Sequence, residues 1–233
     1  MASRPIFIPC KTGNTLVTTK FVDFEWSAGM AVSQKQKSIR SLHNEAKVRG
    51  YASCLLEVSS KSEEDLGKDL SAFNLKYAGK GQSDFSVECL FQSSKVFEKG
   101  GPFRDLLQVS SMDAKRDSRL KESGKLLGFV SHNGEKWPLE PKTIFYDWVY
   151  LNVLNTNIAF RKPLQQYDAF TDIEFNPKKS INCQAYSVAL FSALDKRQLL
   201  KSALASPEDY RDIVTRYVVN NASEDHSVNP RLI

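Results

Sequence analysis

The chain has 233 residues, with 41% hydrophobic and 25% charged side chains, an ordinary globular composition with enough chain for one sizeable core. No apolar run approaches the roughly 18 residues that a membrane span needs, and residues 1–10 carry no signal-type hydrophobic stretch, so the expected compartment is the cytoplasm. The net charge of +5 suits an anionic ligand or nucleic-acid contact without demanding either.

The four cysteines, Cys10, Cys54, Cys89 and Cys183, form no C-x-x-C pair, and His43, His132 and His226 are equally scattered. A zinc site normally shows at least one close ligand pair. The expectation is therefore no metal, with the cysteines as buried thiols in a reducing compartment.

In chain order, residues 5–26 read as β structure. Ile6, Ile8, Leu16, Val17, Phe21, Val22 and Phe24 gather around a turn at Gly13-Asn14. A helix is expected over 33–48, ending at Gly50, with Lys35, Lys37, Arg40 and Lys47 on it. That basic face is either solvated or a nucleic-acid contact. Residues 51–58 read as a short strand, and Gly79-Lys80-Gly81 as a turn that lacks the features of a P-loop. A helix is expected over 87–99, capped by Asp84 or Ser86 and stopped by Gly100-Gly101-Pro102. Further helices are expected over 103–108 and from Ser111 to before Gly124. The loop 137–141 then leads, through Pro141, into an apolar core helix containing Ile144, Phe145, Trp148, Val149 and Leu151. Residues 168–172 and 176–177 read as a polar loop with aromatics. Ser180 is expected to cap a helix through Ala185 and Leu190, and residues 207–217 to add another. The tail from Asn220 reads as polar and frayed. The sum is a mainly α fold with a small β component (α+β), divided into a β-rich extension at 1–50 and a single helical domain at 51–233.

Four places are candidates for chemistry. Glu88, Gln92 and Lys95 share one helical face at 100° per residue. This is either a solvated stripe or an aligned carboxylate, amide and amine. Asn176-Pro-Lys-Lys-Ser-Ile-Asn182 places two lysines before a helix start, which favours a phosphate or is ordinary capping. Asp168 and Asp172 flank Phe170, beside Tyr167, either as a packed turn or as a base- and ribose-handling loop. Lys115-Arg116 can clamp a diphosphate or lie on an exposed basic face. No G-x-S-x-G motif is present.

Taken in order, these segments resemble the NADAR family. Glu57-Val-Ser-Ser-Lys61 leading to Leu70-Ser-Ala-Phe-Asn-Leu75 is similar to the family's opening strand and S-N-F motif. Ser86-Val-Glu88-Cys-Leu-Phe-Gln92-Ser-Ser-Lys95-Val-Phe97 resembles its T-x-E-H-Y-x-Q-A-x-K-F helix, with Cys89 in place of the usual His. Val109-Ser-Ser-Met-Asp-Ala-Lys115-Arg116 is similar to its S-P-x-x-A-K/R segment. Asp168-Ala-Phe-Thr-Asp172 resembles the D-x-x-W-G loop, with Phe170 near the usual Trp. Lys178-Lys-Ser-Ile-Asn182 resembles the closing G-x-N-x-L-G motif without its tight glycine. The resemblance spans about residues 54–200. Phe21-Val-Asp-Phe-Glu-Trp26 with Ser33-Gln-Lys-Gln-Lys-Ser38 points to the branch encoded beside guanine-modifying DNA ADP-ribosyltransferase toxins.

That resemblance implies an ADP-ribosylglycohydrolase that frees guanine bases in DNA, preferably single-stranded, and is functionally paired with such a toxin as its antitoxin. It implies no cofactor. Breaking a ribose–nitrogen bond builds positive charge at the anomeric carbon, so Glu88 is expected as general acid/base, with Lys95 and Asp168 beside it. Ser71, Asn74, Gln92, Lys115, Arg116, Phe170, Asp172, Ser180 and Asn182 are expected to hold ADP-ribose. Two other readings stand: an N-glycosidase on a small ribosyl-phosphate metabolite such as a riboflavin-pathway intermediate, and a non-catalytic antitoxin or ADP-ribose reader.

Overall fold

The structure is a computed structural model that describes residues 1–78 and 85–219. The expected turn at Gly79-Lys80-Gly81, the alternative cap Asp84 and the tail from Asn220 lie outside them.

The chain opens with a hairpin, β1 (Ala2–Pro9) and β2 (Val17–Phe24), followed by α1 (Val32–Val48) and β3 (Leu55–Glu57). Then come α2 (Asp65–Asp69), α3 (Val87–Ser93), β4 (Lys95–Phe97), a 3-10 turn (Arg104–Gln108), α4 (Ser111–Arg116) and α5 (Arg119–Glu122). A second small sheet is completed by β5 (Leu126–Val130) and β6 (Lys136–Trp137). The remainder is α6 (Ile144–Thr156), α7 (Ile158–Leu164), β7 (Ala169–Thr171), α8 (Gln184–Lys196), α9 (Leu200–Ala203) and α10 (Pro207–Thr215). The fold is mixed α+β, with more helix than strand. Among the described residues, no helix is long and apolar enough to cross a membrane.

The main sheet has the order β2-β1-β7-β3. β7 runs antiparallel to β1, with Phe7 opposite Phe170, and parallel to β3, with Glu57 opposite Thr171. Side chains alternate across the sheet because the strand period is two. Ile6, Leu55 and Ala169 therefore meet Ile39, Leu42 and Ala46 of α1 on one face. Phe7, Leu56 and Phe170 meet α6 and α8 on the other. Residues 1–50 thus share one sheet with the later chain, because β1 pairs directly with β7.

The helix α8 is buried from Ala185 to Leu194 on every side, as expected of a helix apolar all round. It packs on the sheet through Tyr186, edge-on to Phe7 at 5.7 Å. α6 contributes Phe145, which stacks on Phe129 at 4.6 Å. Fully burying such a side chain is worth roughly 1.5–3 kcal/mol. Gly67 lets α2 press against β3, since a Cβ there would lie 2.0 Å from the Glu57 carbonyl oxygen.

Several elements differ from the sequence expectation. The helix expected to reach residue 99 stops at Ser93, where the Ser93 and Ser94 hydroxyls bond the Leu90 carbonyl. Lys95, Val96 and Phe97 then pair with β5 instead. The helix expected to end before Gly124 breaks at Asp117, which is non-helical at φ −54°, ψ 127°. Asp117 also binds the Arg119 side chain. The expected loop at 168–172 contains β7, an inner strand of the main sheet. Ser180 does not cap α8, which starts at Gln184 with Cys183 before it; Ser180 belongs to a turn held on the Asn176 carbonyl.

Candidate functional site

A cavity of about 420 Å³ falls within the usual range for small-molecule sites. It opens between the segment after β3, the start of α3, α4 and the segment before α8.

α3 supplies its most reactive wall. Ser86 fixes the helix start by accepting the Cys89 amide at 3.1 Å. Glu88 sits in the first turn, where the helix dipole favours negative charge. Its side chain is buried, and Oε1 accepts a hydrogen bond from Gln92 Nε2 at 2.8 Å. The Lys115 ammonium, on α4, stands 4.0 Å from the same oxygen and 4.9 Å above the Phe73 ring. The expected Glu88–Gln92 alignment is therefore present as an i,i+4 pair.

Lys95 stands on β4, off the helical stripe and outside this lining, close enough for the charges of Glu88 and Lys115 to act on it. Its ammonium lies 4.8 Å over the Phe91 ring. Burial pushes its pKa down to about 8, against the attraction of Glu88 and with the repulsion of Lys115.

The opposite wall holds Asp172, buried at the end of β7, with Oδ1 accepting the amides of Glu174 at 3.0 Å and Phe175 at 3.2 Å. Burial, and next the charge of Glu57, raise its pKa. Gln184 links this wall to the motif after α2, since its Oε1 accepts the Ala72 amide at 2.7 Å.

Three buried oxygens on the cavity lining lack a partner among the described residues: Ser71 Oγ, Gln92 Oε1 and Asn182 Oδ1. Because Gln92 Nε2 is committed to a carboxylate, its Oε1 is left as an acceptor. Unsatisfied buried groups are costly, and these three oxygens can accept hydrogen bonds from a ligand that brings donors.

Of the residues expected at the site, Glu88, Gln92, Ser71, Lys115, Asp172, Ser180 and Asn182 line this one cavity. Asp168 does not. Its two oxygens accept the Ser53 and Cys54 amides, both at 2.9 Å, and so tie β7 to the start of β3. Phe170 does not either, because strand alternation turns it into the core, where it is fully buried. Asn74 bonds the Lys68 carbonyl at 2.9 Å, and Arg116 lies outside the lining at the exposed end of α4. Sequence reasoning missed Ser59, Lys61, Phe73, Tyr146 and Gln184, all on the lining. The first three lie inside or beside recognised motifs, which was the available signal; Tyr146 and Gln184 sit in core helices and gave none. Among the described residues, no group of three or more His, Cys, Asp and Glu side chains could hold a metal ion.

No curated protein matches the chain. A family model described as DarT1-associated NADAR antitoxin matches residues 2–224, nearly its whole length. The chain therefore belongs to the NADAR family, in its DarT1-associated antitoxin branch.

Proposed function

We propose that this protein is the antitoxin of a DarT-type DNA ADP-ribosyltransferase toxin, and that it acts by hydrolysing the bond between ADP-ribose and guanine in DNA. The observation that carries this reading is the buried Glu88 carboxylate on the wall of a 420 Å³ cavity, held by Gln92 and facing Lys115. A carboxylate so placed stabilises the positive charge that grows on the ribose and serves the attacking water. Lys95 adds a positive charge that attracts the Glu88 carboxylate. Lys115 and Lys61 supply positive charge for the diphosphate. The Gln92, Ser71 and Asn182 oxygens take the ribose hydroxyls. No metal or cofactor enters this scheme.

The test is release of ADP-ribose from a single-stranded oligonucleotide carrying ADP-ribosylated guanine, with Glu88→Ala alongside. Release by the unaltered chain alone is expected. Release that survives Glu88→Ala would place the chemistry elsewhere. A variant that releases nothing yet still protects cells from the toxin would make this a contact antitoxin.

A further inference from the structure

β3 and β7 lie side by side with Glu57 opposite Thr171; Asp172 follows Thr171, close enough for the charge of the buried Glu57 to act on it. Glu57 accepts hydrogen bonds from Thr171 Oγ1 and Ser59 Oγ, each at 2.6 Å, and from the Ile173 amide at 2.8 Å. Asp172, the residue after Thr171, accepts the amides of Glu174 and Phe175 and a bond from the Gln184 side chain. Both side chains are almost wholly hidden from water. Neither is in an ion pair among the described residues.

The surroundings do not neutralise two negative charges. From β1, Arg4 attracts Asp172 from a distance. Glu174 repels both carboxyls and is itself held by Lys35 of α1 at 3.1 Å. His43 of α1 touches Thr171 at 2.8 Å, but burial keeps it neutral, with its pKa lowered to about 4. Tyr146 and Tyr150 of α6, and Cys183 just before α8, are held neutral by burial, and the cavity that Asp172 lines also carries Lys61, Glu88 and Lys115. Two buried like charges without a counter-ion resolve by keeping one proton between them. The two groups differ in what they face: Asp172 lines the large cavity, and Glu57 lines a separate cavity of about 280 Å³ beneath α1.

We infer that Asp172 is the general acid of the proposed hydrolysis, retaining its proton because Glu57 is buried beside it and donating that proton to the leaving guanine. This inference rests on the reaction proposed above and divides its proton transfers between two walls. As the bond from the anomeric carbon to the guanine nitrogen breaks, its electron pair stays on nitrogen, which takes the proton of Asp172. Water bonds to the anomeric carbon and loses one proton to Glu88. Glu88 then releases that proton to solvent and Asp172 regains one, so one water is consumed and both carboxyl groups are restored. Glu57 touches no substrate; it is a positioning residue that sets the protonation of Asp172.

The experiment uses two substrates: the guanine-modified oligonucleotide, and ADP-ribose joined to 4-nitrophenol, whose departure needs no proton. Asp172→Asn should slow guanine release by roughly a hundredfold to ten-thousandfold and nitrophenol release by less than about tenfold. Glu88→Gln should slow both. Equal losses on the two substrates, or no loss on guanine, would overturn the assignment. Glu57→Gln removes the neighbouring charge, so the alkaline fall of the rate should move to lower pH; an unmoved limb would count against it. Carbon-13 NMR of the aspartate carboxyls, read on the full chain without substrate, should show Asp172 titrating well above the ordinary aspartate range and falling in Glu57→Gln. An ordinary midpoint in the unaltered chain would overturn the inference even if the enzyme is active. An unaltered chain that leaves the guanine oligonucleotide intact would instead sink the substrate reading, and the titration tells that case apart.

Discussion

The wall of the large cavity and the seam between α6 and α8 each hide an aspartate. At the wall, Asp172 meets backbone amides, another carboxyl and open space of about 420 Å³. At the seam, Asp147 meets the Ser187 hydroxyl at 2.5 Å and lines a space of only about 90 Å³. Burial raises the pKa of both, Asp147 to about 7. The difference teaches that desolvation alone makes an ionisable group expensive. Room for a ligand and a second ionisable group beside it give it something to do. Substitutions at the wall should thus lower activity without loss of stability, and substitutions at the seam should raise stability without loss of activity.

The sharpest test is at Glu88. Replacement by Gln should lower the turnover number by roughly a hundredfold to ten-thousandfold, while the denaturation midpoint stays at or above its original value. A large loss of stability instead would make Glu88 a structural residue and erase the contrast.

At the seam, Asp147→Asn should leave turnover unchanged. Because the folded-state pKa of Asp147 is raised, its contribution to stability is fully present below about pH 4 and is lost as pH rises to about 7. The Asn variant lacks that loss, so it should be more stable above pH 7 by up to about 4 kcal/mol and no more stable at pH 3.5. Urea unfolding at the two pH values reads this directly, and equal differences at both would refute it.

Lys95 joins the two behaviours. Its folded pKa is depressed to about 8, so its charge burdens the fold below that value and the burden lifts as pH rises toward 10.5. Lys95→Met should abolish most activity yet gain up to about 3 kcal/mol at pH 7, shrinking toward pH 10.5. A variant that is both inactive and less stable at pH 7 would break the pattern.

Asp168→Ala should do the opposite of Glu88→Gln. Losing two bonds to the Ser53 and Cys54 amides should lower stability by about 1–2 kcal/mol, with turnover within about twofold. The smallest effect is expected on α1. Lys35 and Arg40 are already paired with Glu174 and Glu63, so neutralising Lys37 and Arg40 should weaken action on an oligonucleotide only a few-fold, most at low salt. Action on a free nucleoside substrate should not change.

What the sequence reveals follows from the range of each interaction. The opening hairpin is legible because Ile6, Val22 and Phe24 alternate along strands long enough to show a period. The Glu88–Gln92 pair is legible because i,i+4 spacing on a helix fixes its geometry. Periodicity ties Lys95 to Glu88 by a helical stripe, but the helix ends two residues earlier, at Ser93; the two still interact, because β4 pairs with β5 and keeps the lysine near Glu88. β7 was not legible. Three residues, Ala169, Phe170 and Thr171, show no period, and flanking aspartates look like loop chemistry. Read as a loop, the segment leaves Phe170 available for stacking and Asp168 for catalysis. The nearness of Glu57 to Asp172 is hidden for the same reason, since only the β3–β7 pairing sets Glu57 beside the end of β7.

That inner position of β7 has a consequence for how the protein is made. β7 lies between β1 and β3, yet its residues leave the ribosome long after both. Until residue 171 has emerged, the hairpin and β3 have no strand to join them, and Phe7 and Leu56 lack the packing they share with Phe170 and α8. Contacts so distant in sequence form slowly, and domains tend to fold as units during synthesis. The cavity is bounded by Asp172 and Asn182 on this late segment. A partly synthesised chain therefore carries Glu88 but no closed site around it, and any protection it gives begins only when the last third of the polypeptide is in place.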